Sequence, residues 1–204
     1  MKIDIVLYEG FDELDAVAPF EVFQNAATAG ADCRARLVTL DPTESVTASH
    51  GLCVEPDGTL PEPGASGAPD LLVVPGGGWN DRSAAGAWAE YERGAVPDAA
   101  AAQYDAGATV ASVCTGGMLL AAAGLLDGRP AVTHASALDD LRETDAVVRE
   151  ERVVDDGRVV TAGGVTSGID LALHLVAREF GAEVATQVAT TLEYDHGRVG
   201  AADE

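Results

Sequence analysis

Short β-branched runs alternate with longer alanine-rich segments along the chain, and this alternation restricts the possible folds more than any other feature. Residues 2–8, 33–40, 70–78 and 109–114 have the composition of strands. The segments between them are long enough to form crossover helices, which is typical of a mostly parallel sheet. We therefore expect an α/β three-layer sandwich, with helices on both faces of the sheet.

The ends of several elements can also be predicted. Residues 85–107 predict a helix that breaks near Pro97, and residues 131–135 predict a short strand. Residues 166–194 predict one long final helix, because apolar side chains recur along it at helical spacing.

The sequence also predicts a β-hairpin and the limits of the domain. Residues 146–164 read as two strands that turn at Asp156 and Gly157, since an Asp-Gly pair favours a tight turn. A chain of 204 residues can build one core. We expect a single domain over residues 1–195 and a loose tail over 196–204.

The charge of the chain narrows the possible partners. Twelve Lys and Arg residues against 34 Asp and Glu residues give a net charge of −22. This field repels phosphate groups, so nucleic acid and anionic membranes are poor partners. We expect a small-molecule partner and a cytoplasmic location, because no apolar run is long enough to span a bilayer. Acidic residues spread along the whole chain also suggest adaptation to high salt.

Three cysteines occur in the chain, and one of them stands at a bend. Cys33, Cys53 and Cys114 are odd in number and widely spaced, so they predict neither a disulfide framework nor a metal site. Cys114 ends a strand and precedes two glycines and a helix. A thiol at a helix N-terminus is expected to have a lowered pKa, which favours a nucleophile, although burial in the core is an equally good explanation.

Two other segments are predicted to reach the same sheet edge. Gly76 and Gly77 follow a strand, and their backbone N–H groups could bind a developing oxyanion, although glycines at strand ends are also ordinary turns. Glu13 and Asp15 follow the first strand. Either carboxyl group could exchange protons with a thiol, but each also suits the first turn of a helix.

Four segments together resemble the DJ-1/PfpI superfamily, whose members are class I glutamine amidotransferase-like. They are "FDELDAVAPFEVF", "LLVVPGGG", "ASVCTGGMLLAAAGLLDGRPAVTH" and "DGRVVTAGGVTSGIDLALHLV". The resemblance implies a flavodoxin-like fold over about residues 2–195 and a homodimer. Its details are most similar to the isonitrile hydratase branch and to the amidase-like half of AraC-type regulators. We expect no regulator, because the chain ends before a DNA-binding module.

The resemblance also implies roles for particular residues. Cys114 matches the nucleophile, Asp15 matches the acid beside it, and Gly77 and Thr115 match oxyanion-binding positions. Thr115 stands where protease-like members have histidine, so peptidase activity is not expected.

Two further residues are candidates for the pocket. His134 could line it, although a structural hydrogen bond explains this histidine equally well. Thr166 lies in a turn that matches the helix start near the family's pocket, and an ordinary helix cap is the alternative. No metal and no cofactor are expected, because no ligand spacing or nucleotide motif occurs.

The activity implied by the resemblance is hydration of an isocyanide to an N-substituted formamide by a thiol and a carboxyl group. Two alternatives stay open. One is a different enzyme at the same site, a glyoxalase, deglycase or amidase. The other is a cysteine redox sensor without catalytic activity, since a reactive thiolate is also prone to oxidation.

Overall fold

The chain folds around a central sheet of seven strands, in a computed structural model that describes residues 1–195. The strand order is β10–β11–β7–β6–β1–β2–β5, and every neighbouring pair is parallel except β10 with β11. The strands are β1 (Lys2–Val6), β2 (Arg34–Thr39), β5 (Gly58–Thr59), β6 (Leu71–Val74), β7 (Thr109–Val113), β10 (Val153–Asp156) and β11 (Val159–Ala162).

Two small ribbons lie outside this sheet. In one, β3 (Val46–Thr47) pairs antiparallel with β4 (Cys53–Val54). In the other, β8 (Pro130–Ala131) pairs parallel with β9 (Val147–Val148). The first ribbon lies between β2 and β5 along the chain, and its Thr47 carbonyl accepts the Gly10 N–H at 2.8 Å.

Helices form the outer layers and confirm the predicted α/β sandwich. The first helix, α1, packs against α6 and α7, while α2, α3 and α4 pack together as a second group. The helices are α1 (Glu13–Thr28), α2 (Ala87–Arg93), α3 (Ala95–Asp105), α4 (Gly116–Ala122), α5 (Leu138–Arg142), α6 (Ser167–Phe180) and α7 (Ala182–Thr191), with a 3-10 turn at Ala135–Ala137.

Several predicted boundaries are corrected by the structure. The predicted break in the helix over 85–107 is confirmed, but it lies at Gly94, which has φ +79° and stands three residues before Pro97. Pro97 lies in the first turn of α3, where a helix needs no backbone N–H donor. The final helix also breaks, at Gly181 with φ +95°.

Two other predictions have mixed outcomes. The predicted strand over 131–135 is shorter and ends at Ala131. The hairpin is confirmed, since β10 pairs antiparallel with β11 around the Asp156–Gly157 turn. The predicted tail over 196–204 lies outside the described residues, and the domain limits stay a prediction.

The order of the middle strands positions the candidate site. From β1 the chain passes to β2 on one side and later to β6 and β7 on the other. Ligands of open α/β sheets bind at such switch points, beyond the carboxyl ends of the strands. Asp15, Gly76 and Cys114 follow β1, β6 and β7 respectively, so the topology brings them to one edge. Among residues 1–195, no helix is long and apolar enough to cross a membrane.

Candidate active site

Cys114 stands on a strained turn between β7 and α4. Its φ is +57°, a left-handed conformation that side chains other than glycine rarely adopt. Neighbouring groups fix this conformation: the Cys114 N–H donates to the carbonyl oxygens of Ala162 and Gly163, at 3.1 and 2.8 Å. The Cys114 carbonyl accepts the Thr133 hydroxyl at 2.9 Å. Such strain persists only where surrounding contacts impose it, and it is common at active sites.

Glycines allow this turn to lie directly against the end of β6. A Cβ atom at Gly116 would stand 2.2 Å from the Val74 carbonyl oxygen, and one at Gly76 would stand 2.4 Å from Thr115 Oγ1. Both distances are too short for any side chain. The two glycines are therefore required by close backbone approach at the place where the thiol is presented.

Asp15 lies beside this turn, in the first turn of α1, and is fully buried. Its Oδ2 accepts the Gly76 N–H at 2.9 Å. Its Oδ1 is buried without a hydrogen-bond partner within the described chain. A buried, unpartnered carboxyl oxygen is costly for folding, and such exceptions are frequent at catalytic sites.

Burial controls the protonation of both groups. It raises the pKa of Asp15 to about 8, and the charge of Asp12 acts in the same direction. The Gly76 N–H and the nearby Cys114 thiol oppose this rise in the Asp15 pKa without cancelling it. Burial also raises the pKa of Cys114 to about 12, and the charge of Asp15 contributes to that rise. At neutral pH the pair is therefore a thiol beside a neutral carboxylic acid.

The predicted lowering of the thiol pKa is wrong. Two backbone N–H groups, from Thr115 and Val165, do lower the pKa of Cys114, as donors to a thiolate should. However, the Cys114 side chain lies in the core with only 6% of its surface exposed. The loss of hydration outweighs the two donors, of which Thr115 caps the seven-residue helix α4 and Val165 precedes α6.

Gly76 and Gly77 are both engaged before any ligand arrives. The Gly76 N–H holds Asp15, and the Gly77 N–H donates to Thr115 Oγ1 at 2.9 Å. The hydroxyl of Thr115 thus connects the loop after β6, which contains Gly76 and Gly77 and is called the glycine loop below, to the Cys114 turn. An oxyanion role for Gly77 would require this N–H to leave Thr115, whereas the Thr115 N–H already faces the sulfur.

The two remaining candidates lie further from the thiol. His134 Nδ1 bonds to the Ser136 hydroxyl at 2.6 Å and caps the 3-10 turn, while its ring packs against Gly164. The Thr166 hydroxyl accepts a hydrogen bond from Arg152 at 3.2 Å. Val165 lies between Gly164 and Thr166 in the chain, and its N–H reaches the Cys114 sulfur. Sequence reasoning missed Val165 because a backbone donor leaves no trace in residue type.

Glu13, two residues before Asp15, points away to a different cluster. Its carboxylate accepts hydrogen bonds from the His50 backbone and ring at 2.7 Å each, and from the Ser49 hydroxyl at 3.1 Å. Burial would raise the pKa of Glu13, but these hydrogen bonds outweigh it and lower the pKa to about 2. Asp12, Glu13 and His50 are the one trio of potential metal donors close together within residues 1–195. Both Glu13 oxygens are already used.

A cavity of about 490 Å³ opens between the start of α1 and the glycines after β6. Asp12, His50 and Gly77 are among the residues that line it, whereas Cys114 and Asp15 are not. Asp12 caps the helix that carries Asp15, and Gly77 bonds to Thr115, so the cavity is linked to the pair through these two neighbours. It is large enough for a small organic substrate.

Fold and site together define a class: a flavodoxin-like α/β protein that presents a cysteine on a strained turn at the switch point of its sheet. A profile of the DJ-1/PfpI family matches residues 1–178. The chain belongs to the DJ-1/PfpI family.

Relatives within the family differ in what they do. The chain is 34% identical to an isonitrile hydratase of Pseudomonas putida over 95% of the chain and 78% of that protein. It is 30% identical to the Parkinson disease protein 7 homolog of Danio rerio, over 92% and 94% of the two proteins. A THiJ/PfpI family protein of Pseudomonas syringae has the same fold, with a TM-score of 0.81 and 27% identity over 100% of this chain and 78% of that one. Transcriptional regulators are also among the relatives.

Proposed function

We propose that this protein is a cofactor-independent enzyme that hydrates an isocyanide to an N-substituted formamide. The observation that carries the proposal is the pairing of Cys114 with a buried, neutral Asp15 whose Oδ1 has no hydrogen-bond partner among residues 1–195. The relative from Pseudomonas putida adds support, since its name states this activity.

The first step needs a nucleophile and an acid at the same carbon. Because Oδ2 of Asp15 accepts the Gly76 N–H, the carboxyl proton resides on Oδ1. Oδ1 gives this proton to the terminal carbon of the isocyanide as the Cys114 sulfur bonds to that carbon. The thiol proton passes to Oδ1. The product is a thioimidate on Cys114, and Asp15 is again neutral.

In the second step, Asp15 helps water to replace the sulfur. Water adds to the thioimidate carbon with its oxygen, and a proton reaches the nitrogen. The carbon–sulfur bond then breaks, the sulfur recovers a proton through Oδ1, and the formamide leaves. Negative charge that develops on the sulfur faces the N–H groups of Thr115 and Val165, which stabilise it.

The neutral resting states of Cys114 and Asp15 also affect the choice between a hydratase and the alternative functions. Peroxide oxidises the thiolate, and burial raises the pKa of Cys114, so the site favours an enzyme with a neutral resting thiol over a redox sensor. A glyoxalase or deglycase would use the same thiol on a carbonyl carbon. The substrate, not the site alone, separates these enzymes.

The direct experiment offers the protein an alkyl isocyanide and measures formamide by NMR, with methylglyoxal and a peptide amide in parallel. Formamide formation that depends on Cys114 supports the proposal. Turnover of methylglyoxal but not of isocyanide would replace it with the glyoxalase alternative. A thioimidate adduct on Cys114, found by mass spectrometry in a slowed variant, would establish the covalent step.

We also propose that the protein acts as a homodimer. Two of its exposed large hydrophobic side chains, Leu14 and Leu52, lie around Glu13, next to the site. A partner protomer on this surface would shield them from water. Light scattering at several concentrations tests this, and a monomer at all of them would contradict it.

A further inference from the structure

Segment 163–166 contacts the nucleophile at two atoms. The Gly163 carbonyl accepts the Cys114 N–H at 2.8 Å, which helps to hold the strained turn. The Val165 N–H reaches the Cys114 sulfur. The position of this segment therefore sets both the backbone of Cys114 and one of the donors to its sulfur.

Arg152 fastens this segment at both ends. Its carbonyl oxygen accepts the Gly163 N–H at 3.0 Å. Its guanidinium donates from Nη2 to Thr166 Oγ1 at 3.2 Å, and from Nε to Asp170 Oδ2 at 2.7 Å. Asp170 is held in turn by the Tyr194 hydroxyl at 3.0 Å. One residue thus ties a catalytic loop to the first turn of α6.

The charges with the largest effect on the Cys114 pKa are those of Asp15 and Asp12, both at the start of α1. In the described chain, the hydrogen bonds that link Arg152 to the Cys114 turn run through segment 163–166.

We propose that Arg152 is a positioning residue: its guanidinium, through Thr166, places the Val165 N–H against the Cys114 sulfur, in addition to the backbone bond to Gly163 that any residue at this position would make. The role deepens the proposed function, because that N–H stabilises the sulfur when it leaves the thioimidate. Nη2 alone contacts both Thr166 Oγ1 and Asp170 Oδ2, at 3.2 and 2.5 Å, and Nε adds a second bond to Asp170 that a lysine amine would lack.

The test measures the rate at which iodoacetamide alkylates Cys114, quantified by peptide mass spectrometry across a pH series. In Arg152→Ala the Val165 donor is misplaced and the thiolate is less stable. We expect alkylation to slow by about three- to tenfold at a fixed pH, and the pH–rate curve to move to higher pH, since each pKa unit is about tenfold in thiolate. Arg152→Lys keeps the charge and should slow alkylation nearly as much.

Matched variants separate positioning from general stability. Arg178 also forms ion pairs from α6, with Asp155, but contacts no part of segment 163–166 in the described chain. Arg178→Ala should leave alkylation within about twofold of wild type. Thr166→Val should slow it, and Thr166→Ser should restore it. Arg152 is partly exposed, and exposed ion pairs contribute little to stability, so its variants should fold.

An Arg152→Ala rate within twofold of wild type, or an equal loss in Arg178→Ala, would overturn the positioning role. A wild-type rate in Arg152→Lys would also overturn it, because charge alone would then suffice. Alkylation requires no isocyanide. Absence of hydratase activity with the alkylation difference intact would therefore refute the proposed function and leave the role of Arg152 supported.

Discussion

Glu13 and Asp15 lie two residues apart in the first turn of the same helix, yet their environments are opposite. Glu13 faces the surface ribbon, where donors from His50 and Ser49 surround it and its pKa is lowered to about 2. Asp15 is buried, one of its oxygens has no hydrogen-bond partner in the part of the chain that the structure describes, and its pKa is raised to about 8. Environment, and not residue type or position near a helix start, decides which carboxyl group can act as an acid at neutral pH.

The largest expected effect on turnover comes from removing the Cys114 sulfur, which lies beside Asp15 and not beside Glu13. Cys114→Ala should lower isocyanide turnover by at least about a thousandfold, because no other nucleophile is positioned there. Turnover measured by NMR checks this. Cys53→Ala is the matched control, since Cys53 is an exposed free cysteine and should leave turnover unchanged. Residual turnover in Cys114→Ala close to wild type would rule out the covalent step.

Replacing Asp15 should change turnover and stability in opposite directions at high pH: turnover should fall, and the melting temperature should rise. Asp15→Asn keeps an oxygen for the Gly76 N–H but loses the acid, so turnover should fall by about 10²- to 10⁴-fold. The folded-state pKa of Asp15 is raised, so its protonated form favours folding and this contribution is lost as pH rises from about 4 through about 8.

At about pH 9 the Asn variant should therefore melt higher than wild type, by about 3 °C or more. Near pH 4 the two should melt alike. A lower melting temperature for the variant at pH 9 would show that the ionised carboxylate is stabilised in the site, contrary to this comparison.

The pH dependence of turnover follows from the same pKa. Since Asp15 acts as an acid, kcat/KM should be constant at neutral pH and fall as pH rises through about 8. A carboxylate base or a preformed thiolate would give the reverse, a rise through this range. Steady-state rates with one isocyanide across the series distinguish the two directions.

A moderate effect is expected at Thr115. Thr115→Val removes the acceptor of the Gly77 N–H and frees the glycine loop, which also holds Asp15 through Gly76. We expect turnover to fall by about tenfold, with an intact fold, because a loosened loop misplaces the acid. Thr115→Ser keeps the hydroxyl and should retain most activity. Equal activity in the Val and Ser variants would show that this hydrogen bond does not matter.

The smallest effect is expected at Glu13. Its folded-state pKa is lowered, so the carboxylate adds stability above about pH 4.5 that is lost as pH falls through about 2. Glu13→Gln should lower the melting temperature at neutral pH by about 1–3 °C, as exposed pairs contribute little. Turnover should stay within about twofold of wild type. A large loss of turnover would mean that both carboxyl groups serve the reaction.

The sheet, its crossovers and the cysteine turn were predictable, because they follow from apolar runs and glycine positions. The break at Gly181 was not, because apolar periodicity continues across it. The break near Pro97 was predicted, but it lies at Gly94, since proline is tolerated in the first turn of a helix. The protonation of Cys114 was also not predictable. Sequence shows a helix start beside the thiol but not how deeply the sulfur is buried.

Asp15 and Glu13 could be placed near the thiol from sequence, but nothing in the residues themselves separated them. Asp15 was preferred only through family resemblance. The contacts that distinguish the two carboxyl groups come from residues far along the chain, Gly76 for one and Ser49 with His50 for the other. The Val165 donor was missed for a similar reason, since any residue can supply a backbone N–H.

Infrared difference spectra of wild type minus Asp15→Asn, recorded from about pH 5 to pH 10, would report directly whether this side chain carries a proton. The carbonyl band of a protonated carboxylic acid should be present at neutral pH and disappear with a midpoint near 8. A spectrum that shows only carboxylate bands at neutral pH would contradict a neutral acid beside Cys114.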